Sequence, residues 1–348
     1  MAESLLAKFS GLMNRTPTDV VGLDCASGGV RAVRVRKSAG KYQLMGAEIL
    51  PAVPVQAVME EGGAAVADGF GQMNFPSQVR GRYAALLVPG THAVVKLLRV
   101  SDKLDLDDRE NVMARLGFPK AEGYRLELRV IQPATARMEA QVLAVTLPDR
   151  QAEAVLQLLP SAGWPAPRTI EVSELALVNA FQFDPRFAGR EKAYGLIHFD
   201  QDFSLVALFN RGYLSQLRTF PFGMGVVLRK LVKVLNVDEQ TAEGVLTDGA
   251  FDISHLIDED ARSLHGQFVI SRDYMERTEN CSLEELYVSG PAALARPFTE
   301  TVNWHGEMQE WNALAGFLNG DQRAGPEPPD PWRFSAAVGG CLGILESE

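Results

Sequence analysis

The chain has 348 residues, 46% of them hydrophobic and 22% charged, which is enough for more than one globular core and makes two domains the natural expectation. A formal net charge of −10 sets its average surface against a phosphate backbone, so no nucleic-acid partner is expected. Cys25, Cys281 and Cys341 stand too far apart in sequence for a zinc site or a disulfide framework, which fits a reducing cytoplasm, and no apolar run approaches the ~20 residues of a membrane-spanning helix.

Residues 1–18 place Leu5, Leu6, Phe9, Leu12 and Met13 at helical spacing, with Lys8 and Arg15 between them. This predicts an amphipathic segment whose apolar side meets a membrane surface, a partner or the protein's own core. The segment lacks the basic start and unbroken apolar stretch of a secretory signal.

Residues 20–23 then read as an apolar strand delivering Asp24, followed by a polar turn of Ser27, Gly28 and Gly29. Val33 and Val35 alternate with Arg34 and Arg36, the period of a half-buried strand, and Ala39 and Gly40 turn the chain into a third strand over 42–49. Residues 51–80 are rich in Gly and Pro. A strand over 83–88 ends in Pro89 and Gly90. Beyond it, 92–100 reads as a strand, 107–116 as a helix, 124–131 and 138–146 as strands, and 148–159 as a helix with Ala152, Val155, Leu156 and Leu159 on one face.

Residues 171–181 predict a connecting helix with Ser173 as a candidate cap. After it the opening pattern returns: an apolar strand over 196–199 delivers Asp200, a polar turn follows, 204–209 is the return strand, and Arg211 and Gly212 make a hairpin into a third. Two imperfect copies of one strand–aspartate–turn–strand unit therefore head the two halves of the chain. Helices follow over 226–235 and from Asp238, which is placed as an N-cap. Next come a strand at 286–288, a turn at Ser289, Gly290 and Pro291, a helix over 292–302, a loop over 319–332 and a small-residue helix over 335–345.

An aspartate at a strand end before a tight turn suits phosphate and metal chemistry: the carboxylate holds Mg²⁺ through water while turn N–H groups face phosphate oxygens. The same residue also suits an ordinary turn, because its side chain can bond its own backbone. His92, His198, His255, His265 and His305 show no metal-binding spacing, and His198, inside an apolar strand, reads as a buried hydrogen-bonded residue. There is no Walker-type or nucleophile-elbow motif. Cys25 reads as a small buried residue, and Glu171 and Glu174 as helix-start acids favoured by the macrodipole.

The segments GLDCASGGVRAVRV, EVSELALVNAF, HFDQDFSLVALFNRGYL, FPFGMGVVLRKLVKVLNVDEQTAEGVL, VSGPAALARPF and AAVGGCLGIL together resemble, in order, the first phosphate loop, hinge helix, second phosphate loop, Gly-turn, adenosine loop and closing helix of PilM-type pilus assembly proteins. These are relatives of FtsA and actin. The resemblance implies an α/β fold of duplicated RNase H-like lobes, with an α+β insertion of the 1C type and no actin-type 1B subdomain. The implied domains are an N-terminal segment (1–18), a first lobe (19–90 and 168–185), the insertion (91–167) and a second lobe (186–348). Insertion at that place separates the family from sugar kinases and chaperone ATPases.

Carried onto this chain, the resemblance implies a nucleotide site of Asp24, Ser27, Gly28, Gly29, Arg31, Asp200, Ser204, Gly223, Gly225, Glu243 and Gly290. Asp24 and Asp200 would hold Mg²⁺ through water beside ATP. Ala26, Asp202 and the Pro291–Ala292 pair stand where the family has glycines. Asp202 brings a side chain and a negative charge to a place meant for phosphate, so a degenerate site with at most weak ATPase activity is expected.

The implied role is a cytoplasmic adaptor at the inner membrane, beneath a pilus or secretion platform. It would bind the N-terminal tail of a single-span, PilN-like protein, with self-association as a further mode. Val94, Leu97 and Leu98 are the candidate residues for that tail, framed by their strand and the 107–116 helix. The alternatives are an FtsA-like membrane-tethered polymer and a sugar kinase of the same superfamily.

Overall fold

A computed structural model describes residues 17–53, 55–61, 75–100, 106–118, 120–135, 139–157, 165–248, 253–301, 304–317, 328 and 330–346. The amphipathic segment expected over 1–18 thus lies almost wholly outside the described residues, as does most of the loop expected before the last helix.

The first half opens with the antiparallel strands β1 (Asp19–Ala26), β2 (Gly29–Ser38) and β3 (Lys41–Leu50), followed by α1 (Val55–Glu61), β4 (Tyr83–Val88), β5 (Val94–Val100), α2 (Arg109–Leu116), β6 (Tyr124–Gln132), β7 (Ala140–Pro148), α3 (Asp149–Gln157), β8 (Ala166–Val172) and α4 (Ser173–Gln182). The second half repeats the plan with β9 (Ala193–Phe199), β10 (Ser204–Asn210), β11 (Tyr213–Phe220), α5 (Met224–Leu235), α6 (Glu239–Asp248), α7 (Ser254–Glu279), β12 (Leu283–Ser289), α8 (Ala292–Thr301), β13 (Glu307–Glu310), α9 (Ala313–Phe317) and α10 (Ser335–Leu345).

The two large sheets share one topology. Their orders are β3-β2-β1-β4-β8 and β11-β10-β9-β12-β13, and in each the first three strands form an antiparallel meander while the last two run parallel to the central strand. β1 and β9 are buried along nearly their whole length, because a parallel-flanked central strand is covered on both faces. The two aspartate-bearing units predict such a duplication, and the resemblance implies that its plan is RNase H-like. A continuous core joins the lobes: Val20 and Val33 of the first sheet, Leu196 and Leu205 of the second, and α4 and α10 between them. Those helices meet closely enough that a methyl added at Gly339 would drive into the Ala176 carbonyl, so the small-residue character of α10 reflects packing.

Between β4 and β8 stands a three-stranded sheet, β5-β7-β6. α2 packs on it, burying Val112, Met113 and Leu116 against Ala144, Leu98 and Leu126. That helix starts at Asp108, whose carboxylate accepts the Asn111 N–H at 3.1 Å, and stops at Gly117 in the left-handed region. The insertion also reaches the second lobe, where Gln141 donates to the Ser215 carbonyl at 3.2 Å.

The largest element the sequence reading passes over is α7, with 26 residues. Its buried side, which includes Ile257, Leu264, Phe268 and Met275, is sparse among charges. The connecting helix begins two residues later than its sequence pattern suggests, so Glu171 closes β8 while Glu174 opens α4.

Candidate functional site

β1 and β9 carry Asp24 and Asp200 to the same place, where the lobes meet. Both are buried, and the Arg31 guanidinium of β2 lies between them, with one nitrogen 2.6 Å from Asp200 and 3.2 Å from Asp24. Antiparallel pairing sets Arg31 directly across from Asp24 in the ladder, so the arginine is delivered by the same meander that delivers the first aspartate. The opposite oxygen of Asp24 accepts the Ser173 hydroxyl at 2.7 Å. Asp200 also pairs with His198 Nε2 at 3.2 Å and accepts the Gln201 N–H.

These surroundings drive the two carboxylates apart. Burial pushes Asp24 up to about 6, against the pull of Arg31 and with reinforcement from the charge of Asp200. Burial acts on Asp200 in the same sense, but Arg31, His198 and the Gln201 amide outweigh it and hold that group well below the usual carboxylate range. The nearer carboxylate takes the larger share of the guanidinium.

The turns themselves also meet. The Ser27 N–H donates to Asp202 Oδ2 at 2.8 Å, and the Ser27 hydroxyl donates to Asp202 Oδ1. Gly28 lies against Gln201, which a Cβ at Gly28 would approach to 3.4 Å. Gly29 has φ +131°, a backbone state that favours glycine.

Other expected site residues are committed to backbone packing. A Cβ at Gly223 would stand 2.6 Å from the Asp200 and Gln201 carbonyls, which accept the Met224 and Gly225 N–H groups at 2.9 and 2.8 Å. The first donors of α5 are thereby spent on the second turn. At Gly290, with φ +128°, a Cβ would stand 2.5 Å from the Phe199 carbonyl oxygen. Ser204 donates to the Phe222 carbonyl at 2.5 Å, and Glu243 pairs with Arg333 at 3.0 Å. Asp24, Ser27, Arg31 and Asp200 are therefore brought into one cluster, while Ser204, Gly223, Gly225 and Gly290 support its walls.

Two acids weighed together in the sequence part company here. Glu174 accepts the Gly90 N–H at 3.1 and 3.2 Å and is pushed up to about 7 by burial, against its hydrogen bonds and with the charges of Asp24 and Asp200 adding. Glu171 faces a groove between the first lobe and the insertion and is likewise raised by burial to about 7, against the Thr169 hydroxyl and the charge of Arg129. Cys25 is buried and its thiol is held well above its ordinary value by burial, which removes it as a nucleophile.

A divalent cation held by Asp24 and Asp200, directly or through water, would need the space between the two carboxylates for itself and its nearly octahedral shell. The guanidinium spans that space, and the turn N–H of Ser27 already has a carboxylate, so this arrangement does not fit Mg²⁺ with a phosphate. Among the described residues no group of three or more His, Cys, Asp or Glu is placed to hold a metal ion.

The groove holds about 300 Å³. One wall is Val130, Ile131 and Leu143 of the insertion, and the other is Ile170, Leu175 and Val178 of the first lobe. The candidate tail-binding residues lie elsewhere. Leu97 packs against the inter-lobe core and Leu98 sits beneath α2, while Val94 lines a smaller pocket of about 260 Å³ beside Gly90 and Leu217. Strand alternation announces two faces for β5, and each is partly covered: α2 packs on the side of Leu98 and the lobes on the side of Leu97, while Lys96 and Arg99 stay exposed.

No protein-family model and no curated protein matches the chain. Among solved structures, a chain described as belonging to a PilM-PilN type IV pilus biogenesis complex superposes with a TM-score of 0.72 at 17% identity, covering 96% of this chain and 100% of that one. Ta0583, described as an archaeal actin homolog, gives a TM-score of 0.44 at 15% identity, with coverages of 94% and 100%. The cytoplasmic domain of EpsL, an inner membrane component of the type II secretion system of Vibrio cholerae, gives 0.40 at 12%, with coverages of 94% and 98%. The first likeness establishes a shared fold along nearly all of both chains, and the other two are too distant to argue from. With the repeated sheet topology, the architecture is actin-like: two RNase H-like lobes and an α+β insertion after β4.

Proposed function

We propose that this protein is a cytoplasmic scaffold of a type IV pilus or related secretion platform at the inner membrane, and that it takes the N-terminal tail of a single-span membrane protein in the groove between its first lobe and its insertion. The observation that carries the reading is the position of that groove between two sheet edges. β6 is the outer strand of the insertion and β8 the outer strand of the first lobe, and both contribute its lining.

An extended peptide needs free main-chain partners for affinity and side-chain pockets for register. An outer strand supplies the first, and the apolar walls supply the second. Val130, half-exposed on β6, is the side chain an incoming peptide would cover. The fold shared with a chain from a PilM-PilN complex supports the same reading, and among the described residues no helix is long and apolar enough to cross a membrane, which fits a protein that meets the membrane through a partner. The Asp24–Arg31–Asp200 cluster lies outside this groove's lining, so peptide capture requires no turnover there.

Anisotropy titration with a synthetic tail peptide from the single-span partner tests the proposal. Val130→Asp is expected to weaken binding at least about tenfold, because it puts a charge into an apolar contact, while leaving the thermal transition in place. Unchanged affinity in the folded variant would move the site away from this groove.

A further inference from the structure

We propose that the two lobes are latched shut by their own side chains, with the Arg31 guanidinium standing in for a nucleotide's divalent cation and the Asp202 carboxylate for one of its phosphates. The latch rests on the geometry of the cleft and does not depend on what the groove binds.

Three interactions cross from lobe to lobe at this point. Arg31 reaches Asp200 at 2.6 Å, and the turn of the first lobe gives both its Ser27 N–H and its Ser27 hydroxyl to Asp202. A bidentate carboxylate on a backbone N–H and a hydroxyl is the contact a phosphate makes at a glycine-rich turn. Asp202 thus supplies, from within the chain, the anion that the turn is shaped to receive. On the cation side, a fixed positive charge satisfies both buried aspartates, as a metal ion would: one guanidinium nitrogen, which carries two N–H groups, lies within reach of both carboxylates. The second loop's remaining demands are met internally too, since its carbonyls hold the first N–H groups of α5.

A nucleotide entering this cleft must break the Ser27–Asp202 contacts and then bring phosphate charge beside Asp202, Asp24 and Asp200, with one arginine to offset all of them. The substitution of Asp202 for a glycine therefore replaces the ligand and also excludes it. The closed arrangement becomes the resting state, so what the rest of the molecule presents to a partner is independent of nucleotide supply.

Ser27 provides a local readout, because it is exposed and its amide has Asp202 as its acceptor. Hydrogen exchange of that amide, followed in the full chain without nucleotide, is expected to be slowed at least about tenfold relative to a free turn and to be unchanged by 1 mM Mg-ATP (roughly the upper range of a weak site). Asp202→Ala should restore fast exchange. Slowing that appears only after Mg-ATP is added, or slow exchange that persists in Asp202→Ala, would overturn the latch. Should Asp202→Ala fail to fold, the parent protein with and without Mg-ATP still decides between protection from within and protection by nucleotide. Tail-peptide titration on the same samples keeps the two ideas apart: loss of the latch with unaltered peptide affinity sinks only the latch.

Discussion

The turn after β1 and the turn after β9 occupy equivalent places in their sheets, yet the first presents donors and the second presents acceptors. Across the joint, the first turn and the strand that follows it give the Ser27 N–H, the Ser27 hydroxyl and Arg31; the second turn and the strand end before it give Asp200 and Asp202. Two identical anion cradles facing each other would need an outside ligand to neutralise them. Two complementary ones neutralise each other, and the cleft then becomes a joint. Buried, interlocked charges of this kind confer specific geometry more than raw stability, which suits the scaffold role proposed above.

The largest effect should come from removing the shared cation. Arg31→Met leaves two buried carboxylates without a counter-charge and is expected to cost about 3–5 kcal/mol of unfolding free energy, read from denaturant midpoints at pH 7. Arg31→Lys keeps the charge but loses the reach and fixed geometry of the guanidinium nitrogen that contacts both aspartates, so about 1–2 kcal/mol of the loss should remain. A fully stable Arg31→Met protein would mean that the lobes are held by their apolar core alone.

A smaller effect should separate the two aspartates, which the sequence treats as equals. Asp200 holds the shorter contact to Arg31 and is kept ionised by it, by His198 and by the Gln201 amide. Asp24 has a longer contact and a raised pKa. At pH 7 Asp200→Asn is therefore expected to cost about 2–3 kcal/mol, whereas Asp24→Asn, which resembles the neutral form that the raised pKa favours, should cost less than about 1 kcal/mol or nothing. Equal losses would make the pair symmetric and undo the comparison.

Much of this architecture was legible in the sequence because it is written locally. The strand–aspartate–turn pattern needs only alternation and glycine positions, and the Asp238 cap, which accepts the Thr241 N–H at 2.8 Å, needs only its helix. The latch was not legible, because Asp202 and Ser27 are 175 positions apart and meet through the docking of two lobes. From sequence, Asp202 reads as a spoiled glycine position; its use depends on what stands opposite. Ser173 shows the same limit: it reads as a helix cap, yet its hydroxyl serves Asp24. The proposed groove lies away from Leu97 and Leu98 of β5, because alternation says that two faces exist and is silent about what covers each. α7 escaped notice because its apolar positions are thinly spread among charges on a helix that covers the core from outside.

The smallest effect is a pH dependence that assigns proton uptake to the first turn and denies it to the second. Asp24, facing Arg31, Asp200, Asp202 and Ser173, is raised from an ordinary 3.8 to about 6, and Glu171 and Glu174 are raised from 4.5 to about 7. For a carboxyl whose folded pKa exceeds its unfolded one, the folded state keeps a proton that the unfolded state has released, so stability falls as pH rises through that interval. Asp200 works in the opposite sense, because its pKa is lowered, and its contribution is lost only as pH drops below the ordinary carboxylate range. Unfolding free energy should therefore rise as pH is taken from 7.5 down to about 5.5, with each group contributing at most about 1.4 kcal/mol per pH unit. Asp24→Asn should lessen the slope below about pH 6, where Glu171 and Glu174 also contribute, and leave the part near 7, which belongs to those two groups and is reduced by Glu174→Gln in proportion. Denaturant titrations at half-unit pH steps give both slopes. Stability that is flat or increasing between pH 5.5 and 7.5 would mean that water reaches these carboxyls, and that the first turn is as open as an unlatched cleft would leave it.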